Sequence, residues 1–197
     1  MPNQLTSTEL NSSASPLVIR NAHPKDINSL AEVLIDSFHP PQGLIMSLAY
    51  PLLKLGIYED LRNRLQSCSP NCICLVASTP SSVADSDELI VGTAEISIRS
   101  TFSWPTIWVQ YPYIANLAIR PSYRRQGIAR KLLISCEQTA LQWGFNHISL
   151  HVLEDNLQAR ELYFSSGYRL ARIESDLSSW VFKRPRRLLL HKQELTS

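Results

Sequence analysis

Tyr113-Ile-Ala-Asn-Leu-Ala-Ile-Arg-Pro-Ser-Tyr-Arg-Arg-Gln-Gly-Ile-Ala-Arg-Lys-Leu-Leu133 is the stretch on which the reading of this chain turns. Tyr113–Ile119 reads as a strand, Pro121 and Gly127 punctuate a turn, and from Ile128 apolar residues recur at helical spacing through Leu132, Leu133, Cys136 and Ala140. Gly144 caps that helix at its C-terminal end. A helix that opens straight out of a turn has backbone N–H groups without internal acceptors and the positive end of its dipole, which together favour an anion. Gly127 allows close backbone approach and Ala129 keeps the next wall small, while Arg124, Arg125, Arg130 and Lys131 add positive charge. The segment is therefore a candidate diphosphate cradle. It is not a Walker loop, which ends in Gly-Lys-Ser/Thr, nor the dinucleotide fingerprint, which needs more than one glycine. A plain charged turn has the same composition, so the short motif does not decide by itself.

Working outward, Leu17–Arg20 reads as a first strand, and Ile27, Leu30, Ala31, Leu34 and Ile35 mark a helix broken at Phe38-His39-Pro40-Pro41. Leu44–Leu48 forms a further turn, and Ile57, Leu61 and Leu65 mark a second amphipathic helix. Ile73–Ala77 and Leu89–Ile98 read as strands separated by a loop over 78–88, and a loop carrying Trp104, Pro105, Trp108 and Tyr111 leads into the strand at Tyr113. Downstream, Ile148, Leu150 and Val152 alternate with His147, Ser149 and His151 in a fifth strand. A short helix over Asn156–Ser165, a turn at Gly167, and strands at Tyr168–Ile173 and Arg187–His191 follow. The order predicts one α/β domain over residues 17–192, with helices packed on a mixed sheet, after a disordered Ser-, Thr- and Asn-rich tail over 1–16.

Composition narrows the function classes. The chain has 197 residues, 44% hydrophobic and 18% charged, with a net charge of +2. A pI of about 8.4 suits a small anionic ligand as well as any larger partner. No apolar run is long enough for a transmembrane helix, and the start of the chain lacks the pattern of a secretory or transit segment, so a cytoplasmic protein with no membrane partner is expected. Of the four cysteines, Cys68, Cys72 and Cys74 lie close together, but no second Cys/His pair sits at ligand spacing. They are read as reduced thiols, with Cys72 and Cys74 as small core residues on one side of a strand, and no metal is expected. Lys183-Arg184-Pro185-Arg186-Arg187 reads as a solvated basic loop, and a nucleic-acid partner is not expected because nothing aromatic interleaves it.

Residues 113–168 resemble the core of the GNAT superfamily of acetyltransferases. Arg124, Gly127 and Ala129 match its Arg/Gln-x-x-Gly-x-Gly/Ala pattern, and Asn156-Leu-Gln-Ala-Arg-Glu-Leu-Tyr163-Phe-Ser-Ser-Gly167-Tyr168 is similar to its Asn-x-x-Ala-x-x-Leu-Tyr-x-x-x-Gly-Phe, with Tyr in place of the final Phe. Gly92-Thr-Ala-Glu95 and Tyr113–Leu117 look most like plant-chloroplast and bacterial members that acetylate protein amines.

The resemblance implies a mostly antiparallel twisted sheet flanked by helices and splayed between its fourth and fifth strands. It implies acetyl-CoA as co-substrate, its pantetheine arm paired with the backbone of Leu117, Ala118 and Ile119. The pyrophosphate would lie in the turn of Arg124, Arg125, Gln126, Gly127, Ile128, Ala129 and Arg130, with Asn156 also touching the cofactor. Tyr163 matches the general acid. For the base, His151 stands where some members carry Glu, Glu95 is a second candidate, and an ordered water could relay the proton instead. Taken without the resemblance, Tyr163 could be a core aromatic, His151 a polar-face residue and Glu95 a solvated or turn-capping one. Trp104, Trp108, Tyr111 and the loop His39–Tyr50 are expected on the acceptor side. The implied reaction is transfer to a protein lysine or N-terminal amine. A small-molecule amine, or an acyl-CoA-binding module without turnover, are the alternatives, and the assembly is read as a monomer or homodimer.

Overall fold

A computed structural model describes residues 17–38, 56–59, 61–63, 71–80, 88–103, 107–174 and 185–195. The N-terminal tail, the turn at Leu44–Leu48, Leu65, Cys68, Trp104, Pro105, Lys183 and Arg184 lie outside them. In chain order the elements are β1 (Val18–Asn21), α1 (Ile27–Phe38), β2 (Cys72–Pro80), β3 (Glu88–Ser103), β4 (Ile107–Ile119), α2 (Ile128–Gln142), β5 (His147–Leu153), α3 (Leu157–Ser165), β6 (Arg169–Glu174) and β7 (Arg187–Gln193). Residues 56–59 and 61–63 are helical, within the second amphipathic helix read from sequence.

The strands form one seven-stranded sheet in the order β1-β2-β3-β4-β5-β7-β6. Every neighbouring pair is antiparallel except β4 and β5. Those two run parallel and are in register only at Tyr113 with Ser149 and Ile114 with Leu150. Beyond Ile114 they part. The sheet is thus mixed, mostly antiparallel, and opens between its fourth and fifth strands, as expected.

Burial on the two faces explains where the helices sit. Ile128, Leu132, Leu133, Cys136 and Ala140 of α2 bury the apolar stripe read from sequence against Ala94, Ile96, Ile114, Ile148 and Leu150. Leu30, Ala31 and Leu34 of α1 cover Val76, Ile90 and Ala118 on the other face. Each such Leu or Ile withdrawn from water contributes roughly 1.5–3 kcal/mol.

Two expected loops are shorter than read. Strand pairing continues through Ser78–Pro80 opposite Glu88–Ile90, so only 81–87 separates β2 from β3. Arg99–Ser103 pairs with Ile107–Tyr111, turning most of the Trp-rich loop into a two-stranded arm. Thr101, Phe102, Trp108, Val109 and Tyr111 are β-branched or aromatic residues that suit a pleated ribbon, and this outweighs the turn signal of the prolines.

Gly92 leaves room on β3 for the Ile119 side chain and backbone of β4, with Leu132 of α2 packed just beyond. A Cβ there would lie 2.6 Å from Ile119 Cδ1 and 3.2 Å from the Ala118 carbonyl oxygen. Gly92→Val is expected to cost about 2–3 kcal/mol, as overpacked cores do. Denaturant unfolding of the variant checks this.

Candidate active site

Where β4 and β5 part, a cleft of about 600 Å³ runs from the end of β4 past the start of α2 to one side of α3. Its walls include Leu117, Ala118, Ile119, Arg124, Arg125, Gly127, Ile128, Ala129, Arg130, Asn156 and Tyr163. Of the expected cofactor residues only Gln126 does not line it; that side chain is exposed. Ala159 and Leu162, the Ala and Leu of the Asn-x-x-Ala-x-x-Leu-Tyr pattern, also line the cleft, as do Ser37, Tyr123, Gln158, Glu161 and Ser165, to which the sequence did not point.

The turn before α2 is shaped for an anion. Arg125 and Gly127 both have positive φ, 63° and 76°, which turns backbone N–H groups into a concave arc. No side chain caps α2. Its first internal bond runs from the Lys131 N–H to the Gly127 carbonyl at 3.1 Å, so the N–H groups of Ile128, Ala129 and Arg130 precede the ladder. A Cβ on Gly127 would meet nothing within 4 Å, so the space over it is open for a ligand. Three arginines face one glutamate around the mouth. Bare N–H donors, an open glycine and excess positive charge fit a diphosphate.

The arginines divide the work. Arg124 Nε donates to the Ile119 carbonyl at 3.1 Å, tying the turn to the strand end. Arg130 Nη2 donates to Ser165 Oγ at 3.0 Å, and Arg125 lies 3.8 Å from Glu161, so both side chains reach across to α3. Ser37 Oγ also donates to the Ile119 carbonyl, at 3.1 Å. That oxygen therefore already accepts two side-chain bonds. Asn156 is the N-cap of α3, its Oδ1 accepting from the Ala159 N–H at 3.1 Å.

Gly127→Val is expected to weaken acetyl-CoA binding about tenfold or more. It forces a β-branched residue to positive φ and fills the space above the bare N–H groups, while its effect on stability stays near 1–2 kcal/mol. Titration calorimetry beside a melting curve separates the two.

At the inner end of the cleft β4 is bulged. Thr93 faces Ala118 and Glu95 faces Ala115, so Ala94 alone spans Asn116 and Leu117. Asn116 takes φ 53°, a conformation that Asn tolerates better than most residues. Its Nδ2 donates to Glu95 Oε2 at 3.1 Å, and Cys72 Sγ donates to Glu95 Oε1 at 3.7 Å. Glu95 is 5% exposed. It is neither solvated nor a turn cap but a buried brace on the bulge.

His151 is half-buried and held on both nitrogens. Nδ1 lies 2.9 Å from the Tyr113 hydroxyl, and Nε2 lies 3.0 Å from Glu174 Oε2. An ionised carboxylate only accepts, so in neutral His151 the Nε2–H donates to Glu174 and Nδ1 accepts from the Tyr113 O–H. Burial holds the imidazole below its ordinary pKa; Glu174 opposes this, and Arg187 and Arg99 add to it. Arg99 Cζ lies 3.4 Å from the centroid of the Tyr113 ring.

Tyr163, from the other face of the sheet, is 7% exposed and packs edge-on against Tyr168. Burial pushes its phenol up, and Tyr113 is near enough to add to the shift. Among the described residues no protein group bonds its hydroxyl. Thus Tyr163 lines the cleft, whereas His151, one residue past the last β4–β5 register pair, and Glu95, behind the bulge, lie outside its lining; Tyr113 and Glu174, to which the sequence did not point, join His151. Cys72 and Cys74 are half-buried, their thiols beside Glu95 and Thr93, and Cys74 packs against the core under α1. Trp108 is 69% exposed on the β3–β4 arm. No group of three or more His, Cys, Asp or Glu able to hold a metal occurs among the described residues.

Comparison with known families decides what this geometry belongs to: residues 46–168 match the model of the acetyltransferase (GNAT) family. The chain belongs to the GNAT family. Its members take acetyl-CoA as acyl donor, so this GNAT chain is an acetyltransferase acting on amines. It is 29% identical to GCN5-related N-acetyltransferase 10, chloroplastic, of Arabidopsis thaliana, across 85% of this chain and 68% of that one. The same fold occurs in Arabidopsis thaliana NAA60 in complex with acetyl-CoA (TM-score 0.68, 17% identity, 90% of this chain and 98% of that one). It also occurs in the PaiA N-acetyltransferase of Thermoplasma acidophilum in complex with coenzyme A (TM-score 0.64, 19% identity, 90% and 99%). The plant relative is chloroplastic by name, so the comparison gives no support to a cytoplasmic location. Among the described residues no helix is long and apolar enough to cross a membrane.

Proposed function

We propose that this GNAT enzyme acetylates the α-amine at the N-terminus of a polypeptide, with acetyl-CoA held along Leu117, Ala118 and the turn Arg124–Arg130. The observation that carries this reading is the bonding of His151. Its one basic lone pair is engaged by Tyr113, so a proton leaving the acceptor amine passes to Tyr113 Oη while the Tyr113 proton moves to Nδ1. Glu174 fixes the tautomer and balances the imidazolium that forms. Glu95 is assigned to the bulge, which orients the β4 backbone N–H groups, and not to proton transfer.

A base depressed below the ordinary imidazole range is a weak one, and the acceptor must suit it. At pH 7 an α-amine, with a pKa of about 7.7–8, costs about 1 kcal/mol to deprotonate, whereas a lysine amine near 10.4 costs about 4.6 kcal/mol. The α-amine is therefore the more available nucleophile at that pH. Bound acetyl-CoA supplies a thioester carbonyl as the acyl donor. The chain's own groups take one proton from the amine through Tyr113 and return one to the departing sulfur from Tyr163.

Release of the CoA thiol tests the reading with three acceptors: a peptide with a free α-amine, the same peptide N-blocked but carrying lysine, and a small diamine. The free α-amine is expected to react at least tenfold faster. No release with any amine, with acetyl-CoA still bound, refutes it in favour of a binding module.

A further inference from the structure

The face of the sheet that bears Tyr113 and His151 also bears three arginines. Ser97 is opposite Tyr113, so Arg99, two residues further along β3, shares that face. Leu189 is opposite both His151 and Arg172, so Arg172 and, two residues before Leu189, Arg187 share it too. All three arginines are exposed. None lies within ion-pair distance of a carboxylate among the described residues. The carboxylates of that face are engaged elsewhere, Glu174 by His151 and Glu95 by Asn116 and Cys72. Arg99 lies over the Tyr113 ring, 3.4 Å from its centroid, which sets a positive charge beside the hydroxyl that the acceptor amine would reach.

We infer that the acceptor is an acidic N-terminal segment, carrying Asp or Glu within a few residues of its amine, and that Arg99 beside Tyr113 reads that carboxylate, with Arg187 and Arg172 adding to the positive field of the face. The inference rests on the acetyl transfer proposed above and narrows its substrate. Positive charge beside the amine disfavours an ammonium group and a basic neighbour alike, and a carboxylate on the acceptor offsets it. One exposed pair is worth a factor of about two to five, and more than one arginine brings the expected preference to about tenfold. Exposed pairs weaken with salt, so the preference should too.

The test uses the full chain and three peptides that differ only at the second and third residues, Asp-Glu, Asn-Gln or Lys-Arg. For each, kcat/KM is read from CoA release at low and at physiological ionic strength. The acidic peptide is expected to lead the neutral one by about tenfold, with the basic peptide slowest and the gaps narrowing with salt. Arg99→Gln should shrink the acidic-to-neutral ratio to about two- or threefold, and Arg99→Lys should keep most of it. Arg172→Gln, at an exposed edge position, should lower the ratio by a smaller factor. Equal rates on the three peptides overturn the inference. So does an Arg99→Gln enzyme slowed by the same factor on all three, which would make Arg99 a support for Tyr113 alone. Transfer to none of them fails the proposed function itself, which the small diamine and the N-blocked peptide then report separately.

Discussion

Tyr163→Phe is expected to lower kcat by about 10²–10³ while the KM for acetyl-CoA changes by less than about threefold. The substitution removes one hydroxyl and leaves the ring, its contact with Tyr168 and its place in the core. No described group holds that hydroxyl, and the side chain lines the cleft, so its proton is free for a group bound there. Burial pushes the phenol up, which keeps it protonated across the working pH range. A positioned general acid is worth about 10²–10⁴ in rate. Steady-state kinetics beside direct acetyl-CoA titration check this. An unchanged kcat would return Tyr163 to the role of a core aromatic.

The second large effect belongs to the pair on the opposite face. His151→Ala and Tyr113→Phe are each expected to lower kcat/KM by about 10². The double variant should be little worse than either single one, because parts of one relay fail together. The pH dependence follows from the sign of the shift. In the proposed relay the active form is neutral His151, and its pKa is held below the ordinary 6.5 by burial. The relay is therefore intact at neutral pH and is lost as pH falls through that depressed value. The α-amine adds a separate rise near its own pKa of about 8. In His151→Ala only the rise belonging to the amine should remain. Additive losses in the double variant, or an unaltered acid limb, would argue that a water accepts the proton independently of His151.

What the sequence made legible was local. Strand, turn and helix over 113–133 lie within one short stretch, and the alternation around His147–Val152 needs no partner to be seen. The short helix α3 was likewise visible, with Asn156 at its cap and Tyr163 two turns on. What was hidden depends on register. Nothing in Ala-Asn-Leu announces that Asn116 takes positive φ; the bulge exists because β3 supplies one residue where β4 supplies two. Glu95 reads as a polar residue in a strand until the bulge sets Asn116 against it. Tyr113 joins His151 only because β4 and β5 meet at Ser149 and nowhere beyond Leu150, and Glu174 arrives on an edge strand reached through β7. Arg124 reads as a phosphate ligand from charge alone; that its Nε also ties the turn to the Ile119 carbonyl is visible only in the fold.

The central claim is that the parted strands present acetyl-CoA to an α-amine through Tyr113 and His151. One peptide bearing both a free N-terminus and an internal lysine tests it most directly, with the acetylated position read by fragment mass spectrometry early in the reaction at neutral pH. Acetyl on the α-nitrogen in at least a tenfold excess, lost together with activity in His151→Ala, is the predicted result. Acetyl on the lysine, or equal labelling of both nitrogens, would contradict it.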